Sequence, residues 1–454
     1  MKIAIIGGGP GGYEAAIYAA KKGAEVVLIE KNRVGGTCLH MGCIPTKALL
    51  ASGEAVQVIR KAFTYGIHLD TETSIDYASI AARKDKVVAG LAKGVEHTLA
   101  SNGVKVIAGI GRLKNASTVA VELLDGGIEK IMADAILLAT GSVPVFPNFV
   151  PVDEKHILTS NGILSLTHNP ASITILGGGV IGCEIGQFLA RMGSKVNIVE
   201  LLPHVVAAED EDVSETLEKQ FRRDKIRLYC GKHVTKVANT DSSVQAYLDD
   251  GTILETEALM VSVGRSPFTD GLGLEQVGIQ TDHKGFVMVD QVMRTSIPGI
   301  YAIGDMINSL QLAHVATKEG MCAVDTIMGI QSKVNYAAVP RCVYTEPEIA
   351  SVGVTERELR VANVSYSVGQ SEFVANGKAK AAGKTVGFIK VLADQDGIIL
   401  GATIVGAHAT EIIATLTLAV DIKLTVKQVG NLIFPHPTMS EGIMKAVHDI
   451  QLPA

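Results

Sequence analysis

Residues 2–30 read KIAIIGGGPGGYEAAIYAAKKGAEVVLIE, and residues 172–200 read SITILGGGVIGCEIGQFLARMGSKVNIVE. A constant offset of 170 residues superimposes them without a gap: Gly7 on Gly177, Gly9 on Gly179, Gly12 on Gly182, Glu14 on Glu184 and Glu30 on Glu200. Each copy is a short apolar run, G-x-G-x-x-G, a helical pattern, a glycine stop, a second apolar run and a closing acid. The order has a physical reading. The first glycine makes the strand-to-helix turn, the second lets a pyrophosphate approach the backbone, and the third lets helix pack on strand. The phosphates then rest on the positive end of the helix, and the closing carboxylate accepts the ribose hydroxyls. One such motif is weak, but two ungapped copies in β-α-β context predict two dinucleotide sites. Arg is absent from the residues after Glu200 (Leu201, Leu202, Pro203, His204), so the carboxylate would repel a 2′-phosphate and favour NAD over NADP.

Composition bounds the rest. A chain of 454 residues exceeds a single core. With 47% hydrophobic and 19% charged residues it has ample material for globular domains. The net charge of −6, without a basic block, lacks the electrostatic footprint of a nucleic-acid binder. No apolar stretch reaches membrane-spanning length; 412–420 (IIATLTLAV) predicts a buried or interfacial helix. The first strand begins at Lys2, which leaves no room for a targeting peptide and predicts a cytoplasmic location.

Directly after the first copy comes GGTCLHMGCIPTK (35–47). Six cysteines are no disulfide framework, and a persistent structural disulfide is unusual in a reducing compartment. A zinc clip fails for want of ligands, since His40 alone does not complete a site with Cys38 and Cys43; no metal is expected. Residues five apart on a regular helix are separated by about 7.5 Å of rise, beyond disulfide Cα spacing. If the two cysteines bond, the turn is distorted between them, and Pro45 is compatible with such a break. A strained bond is easily reduced. Cys43 and Lys47, four apart, share a helix face.

These segments resemble the pyridine nucleotide-disulfide oxidoreductases and, within them, the dihydrolipoamide dehydrogenase branch, over essentially the whole chain. GGTCLHMGCIPTK resembles the redox segment and IPGIYAIGD (297–305) a second FAD segment. LAHVATKEG (312–320) and YTEPEIASVG (344–353) resemble the lipoamide branch, 387–406 the start of a dimerisation domain, and HPTMSEG (436–442) the C-terminal catalytic segment. The resemblance implies an FAD-dependent enzyme that oxidises the dithiol of dihydrolipoamide and reduces NAD+ through Cys38 and Cys43. Cys38 would be the outer thiol, Cys43 the inner thiolate, and Lys47 and Glu184 a pair beside the flavin. His436, poised by Glu441, would be the base. Motif and resemblance together give the cofactor set Gly7, Gly9, Gly12, Glu30, Gly36, Thr37, Lys47, Thr140, Gly141, Asp305, Ala313, Gly177, Gly179, Gly182, Glu200 and Gly264. One FAD per subunit is implied, with NAD as co-substrate, a homodimer in which His436 serves the partner's flavin, and a lipoyl domain or lipoyl carrier as partner.

Alternatives stay open on the residues themselves. Thr438 and Glu441 form T-x-x-E, so Glu441 reads equally as the cap of a helix running towards Asp449. His436 lies between two prolines in extended backbone, an odd place for a casual histidine. His40 and Met41 stand where the family often has Asn-Val, and Phe434-Pro435 where Ala is frequent. These departures bear on the dithiol partner more than on the reaction. The competing functions are an NAD(P)H-dependent reductase of another disulfide or of a metal, and a catalytically vestigial lipoyl-complex module. The tail QLPA lacks the extra cysteine pair of mercuric reductases, and Glu200 disfavours the NADPH of glutathione-type enzymes. The expected fold is α/β: two Rossmann-like dinucleotide-binding domains for FAD and NAD and a C-terminal α+β dimerisation domain. Punctuation places a first FAD-binding part at 1–147, the NAD-binding domain at 148–270, a second FAD-binding part at 271–335 and the interface domain at 336–454.

Overall fold

The computed structural model of the chain describes residues 1–69, 74–240 and 242–452. Strand Lys2–Ile6 of the first repeat is buried from Ile3 to Ile6 and is flanked by Glu25–Glu30 on one side and Ala135–Leu138 on the other, all parallel. Near-continuous apolar runs suit such strands, because helices cover both faces of a parallel sheet. The sheet continues through Lys105–Asn115 into an antiparallel pair, Thr118–Leu123 and Ile128–Met132. At its other edge lies Ile300–Ala302, parallel to Ala135–Leu138. The chain therefore leaves this sheet, builds the second repeat, and returns.

The second repeat forms a five-stranded parallel sheet in the order Arg227–Cys230, Lys195–Glu200, Ser172–Leu176, Ala258–Val261, Ile157–Thr159. An antiparallel three-stranded layer, Val234–Asn239, Val244–Leu248 and Ile253–Thr256, sits beside it. In both parallel sheets the first strand of the repeat has neighbours that follow it in sequence on opposite sides. That is the switch point where α/β sheets open a crevice for ligands.

The C-terminal unit is an antiparallel sheet in the order Arg341–Val343, Glu348–Gly353, Ile399–Gly406, Phe388–Ala393, Ser367–Glu372. Helix Ala409–Asp421, predicted from its apolar pattern, buries Ala409, Ile413, Leu416 and Ala419 and leaves Leu418 exposed. Helix Glu441–Asp449 packs on strands Ser367–Glu372 and Phe388–Ala393 and shares the same core. Among the described residues no helix is long and apolar enough to cross a membrane.

Candidate functional site

Both glycine turns are built alike. Gly7 donates to Ile29 O and Gly177 to Val199 O, each at 2.8 Å, which tucks the turn under the neighbouring strand. Gly7 (φ 108°) and Gly177 (φ 104°) lie in the left-handed region that favours glycine. A methyl on Gly12 would stand 1.9 Å from Gly7 O, and one on Gly182 2.0 Å from Gly177 O, so the third glycine serves helix-on-turn packing. Methyls on Gly9 and Gly179 would meet nothing within 4 Å. Both glycines line the cavity, at the N-termini of helices Pro10–Lys21 and Val180–Met192. The closing acids are oriented by backbone amides. Glu30 accepts from Gly8 N and Asn32 N, both at 2.7 Å, and Glu200 accepts from Gly178 N (2.6 Å) and Leu202 N (2.8 Å). Open space over the second glycine, amides at a helix start and a fixed carboxylate fit a dinucleotide twice over. Gly179→Ala should fold as the wild type does but lose affinity for pyridine nucleotide, whereas Gly177→Ala should lower Tm. Thermal melts beside nucleotide titrations check the contrast, and normal binding by Gly179→Ala would remove the cradle.

The redox segment forms two helices, Gly36–Met41 and Cys43–Arg60, broken at Gly42 (φ −154°, ψ −114°). The predicted distortion is present, but Gly42 makes it. Pro45 sits in the first turn of the second helix, where a missing N–H is tolerated. Both cysteines are thiols in this structure, and both line the cavity. The hydrogen bond from Cys38, assisted by the Lys47 ammonium, pulls Cys43 down to about 7. The same bond, with burial, pushes Cys38 up. The first proton of the pair therefore leaves from Cys43, and the remaining one stays with Cys38.

Lys47 Nζ donates to Glu184 Oε2 at 2.8 Å and lies 4.2 Å from the centre of the Tyr344 ring. Glu184 is buried on the second nucleotide helix, and its other oxygen accepts from Tyr344 N at 2.9 Å. The same helix face carries Gln187, which exchanges hydrogen bonds with the Glu346 backbone, and Arg191, paired with the Glu346 carboxylate at 2.7 Å. Residues 184, 187 and 191 share one stripe by helical spacing, yet sequence reasoning singled out Glu184 alone.

One cavity of about 3020 Å³ joins these parts. It is lined by Gly7, Gly9, Glu30, Gly36 and Thr37 at one end and by Gly177, Gly179, Glu200 and Gly264 at the other, with Cys38, Cys43, Lys47 and Glu184 also in its wall. Thr140, Gly141, Asp305 and Ala313 line it too, while Gly12 and Gly182 lie behind the turns. Asp305 accepts from Ser142 Oγ, which in turn accepts from Arg265 Nε at 2.7 Å. Beneath it Glu319, fully buried, takes Gly304 N and the Tyr336 hydroxyl, each at 2.7 Å. Burial pushes the Glu319 carboxyl up. Sequence reasoning missed Glu319, although a lone acid on the buried side of helix Ala313–Ile327 was the available signal. His40 is half-buried and donates to Val34 O at 2.9 Å.

His436 and Glu441 are not in the cavity wall. His436 is 80% exposed, and its Nδ1 lies 2.8 Å from Glu441 Oε1. Glu441 also accepts from Thr438 N at 2.9 Å, and that amide, then His436, holds its carboxyl below the usual range. The capping box is incomplete: Thr438 Oγ1 donates to Pro435 O, and helix Glu441–Asp449 starts after Ser440. Only the half in which Glu441 accepts the Thr438 amide is present, and its other oxygen meets His436. Among the described residues no group of three or more His, Cys, Asp or Glu is placed to hold a metal ion.

Two dinucleotide turns opening on one cavity, with an asymmetric thiol pair in its wall, define a flavin-dependent disulfide oxidoreductase. The chain belongs to the pyridine nucleotide-disulphide oxidoreductase family, which matches residues 1–320, and residues 339–447 match the dimerisation domain of the same family. Enzymes of this family use FAD and a pyridine nucleotide. Similar proteins include the dihydrolipoyl dehydrogenase of Chlorobaculum tepidum, 41% identical over 98% of this chain and 96% of that one, and that of Bacillus subtilis, 38% identical over 98% of both. Mitochondrial dihydrolipoyl dehydrogenase of Dictyostelium discoideum is 39% identical over 98% of this chain and 93% of its own length. Among solved structures, LpdA from Mycobacterium tuberculosis covers 99% of both chains at 31% identity and TM-score 0.94. The HOCl-induced flavoprotein disulfide reductase RclA from Escherichia coli covers 99% of both at 28% identity and TM-score 0.88.

Proposed function

We propose that this chain oxidises dihydrolipoamide to its disulfide with NAD+ as acceptor, through Cys38 and Cys43 and with one FAD per subunit. The supporting observation is the single cavity that holds both nucleotide cradles and the thiol pair, in a chain about 40% identical to dihydrolipoyl dehydrogenases along nearly its full length. Gly7, Gly9, Glu30, Gly36, Thr37, Thr140, Gly141, Asp305 and Ala313 would hold FAD, and Gly177, Gly179, Glu200 and Gly264 would hold NAD. When bound, FAD supplies a two-electron relay between dithiol and NAD+.

The chain's residues do the rest. In the oxidised protein, with Cys38 and Cys43 joined, a substrate thiolate attacks Cys38 Sγ: the Cys38–Cys43 bond breaks and Cys43 leaves as the thiolate. The substrate's second thiolate then displaces Cys38 to close the product disulfide, leaving both cysteines reduced. The lowered pKa of Cys43, from the hydrogen bond of Cys38 and the charge of Lys47, makes it the better leaving group. The Glu184–Lys47 pair fixes that ammonium beside it. His436 is the base for the substrate thiol: with Nδ1–H donated to Glu441, Nε2 is free to accept a proton. Because His436 lies outside its own chain's cavity wall, we assign it to the site of a second copy in a homodimer. The units are taken as 1–147 with 271–335 for FAD, 148–270 for NAD and 336–454 for the interface; the three large sheets support this division, and the ribbon of Ser142–Pro144 with Arg265–Pro267 crosses it. A lipoyl domain or carrier protein is the partner, and bacterial relatives support a cytoplasmic location.

Steady-state rates with dihydrolipoamide and with glutathione disulfide, each with NAD(H) and NADP(H), test the reading; preference for glutathione disulfide would overturn it. NAD+ should exceed NADP+ in kcat/KM by tenfold or more. A 2′-phosphate beside Glu200 forfeits a charge-assisted hydrogen-bond set worth about 1.5–3 kcal/mol. Equal values would remove Glu200 from its role.

A further inference from the structure

The two repeats brace their glycine turns in the same way but with different residues. In the first, Gly35 donates its N–H to Gly8 O at 2.7 Å; in the second, Val206 donates to Gly178 O at 2.8 Å. Both donors lie at positive φ, 108° for Gly35 and 45° for Val206. Glycine adopts that backbone freely, but a β-branched residue there is strained and persists only where its surroundings hold it.

Val206 is buried in the core of its own repeat, and the residues that follow it are held from the C-terminal unit. Arg357 donates to Ala207 O at 2.9 Å and to Ala208 O at 3.4 Å. Arg341 pairs with Glu209 at 3.3 Å. Asp210 accepts the backbone amides of Glu356 (3.1 Å) and Arg357 (3.0 Å), the first two residues of helix Glu356–Val361. Lys390, 2% exposed in strand Phe388–Ala393, reaches Asp210 and Asp212 at 2.9 Å and Glu356 at 3.2 Å. A buried ammonium is tolerated only when paired, so this cluster is rigidly specified. Ala208 and Glu209 line the cavity along with Glu200.

We propose that the ion cluster centred on Lys390 is a positioning device for the pyridine-nucleotide site, holding segment 205–212 so that Val206 braces the Gly178 turn. The C-terminal unit thereby sets the affinity of a site to which it need not contribute a ligand. This rests on the reading of the second repeat as the NAD site.

The test uses FAD-loaded protein and ADP-ribose, which reads the second site without redox chemistry. Lys390→Met should weaken ADP-ribose roughly tenfold and raise KM for NAD+ in parallel, with kcat and FAD content retained; Lys390→Arg should recover most of the affinity. Asp212, 41% exposed, is the mild variant: Asp212→Asn should fold and weaken binding by about threefold. It decides the matter if Lys390→Met does not fold. Unchanged ADP-ribose affinity in the folded variants, or loss of FAD in step with it, overturns the proposal. Wild-type protein that binds no ADP-ribose overturns the nucleotide-site reading instead.

Discussion

Cys38→Ser and Cys43→Ser should each abolish dihydrolipoamide oxidation, by on the order of 10⁴–10⁶-fold, the scale of removing a covalent nucleophile. Neither serine can close a disulfide, and one remaining thiol cannot accept two electrons from the dithiol. The rate from NADH to an artificial acceptor, which bypasses the pair, should survive in both. The two variants should differ in titration. In reduced wild-type protein the thiolate absorbance should rise with a midpoint near 7, set by Cys43, well below the ordinary thiol value of 9.0. Cys43→Ser should lose that transition. Cys38→Ala removes the hydrogen bond that lowers Cys43 most, so its midpoint should move up towards the ordinary value. The sign follows: a depressed thiol pKa favours the charged form, so the low-pH thiolate is lost with its donor. A midpoint near 7 persisting in Cys43→Ser would reverse the assignment of the two thiols.

His436→Gln should lower dithiol oxidation by roughly 10²–10⁴, the range expected for a lost general base. Glu441→Gln can still accept a hydrogen bond from Nδ1, so the ring keeps its direction. What is lost is the carboxylate charge that steadies the imidazolium formed when the ring takes the substrate's proton, so dithiol oxidation should fall although the ring keeps its direction. Glu441 also holds Thr438 N, and Gln can keep that bond through its carbonyl oxygen. Fold and Tm should therefore be near wild type. Lipoamide turnover and NADH-to-acceptor rate, measured together on each variant across pH, separate the outcomes. Parallel loss of both would mean structural damage, and the catalytic reading of 436–442 would fall. Mixing His436→Gln with Cys43→Ser protein should restore some activity if each site draws its base from the other copy.

The nucleotide turns were legible because sterics leave no substitute for glycine where a methyl would sit 1.9 Å from a carbonyl oxygen. The redox helix break was legible as a need, since five helical residues span too far, but not as a place; Gly42 took it where Pro45 was the visible breaker. Lys47 and Glu184 are 137 residues apart, so only resemblance joined them beforehand. Glu319, Gln187, Arg191 and Lys390 escaped for the same reason without that help. Gln187, Arg191 and Lys390 are buried polar groups with partners in another unit, and Glu319 takes Gly304 and Tyr336 from 15 and 17 residues away. No local period or spacing records such partners. The T-x-x-E reading holds by half: Glu441 takes the Thr438 amide, as a capping box asks, but the Thr438 hydroxyl goes to Pro435 O. One carboxylate oxygen serves that amide and the other meets His436, so the two readings of Glu441 are not exclusive.

The helices of the two repeats share a backbone plan but present unlike outer faces. Glu184, Gln187 and Arg191 correspond to Glu14, Ile17 and Lys21 in the first copy. There, the helix meets helix Ala313–Ile327 closely enough that a methyl on Gly11 would lie 3.1 Å from Ala316. The second copy is sewn by hydrogen bonds to 344–346. The repeats are consequently not interchangeable cassettes. A chimera that imports the second repeat from a relative must bring matching partners for 187, 191 and 210, or it will carry buried polar atoms with nowhere to bond. If the second repeat is the NAD site, moving it between relatives means matching residues beyond 340 along with it.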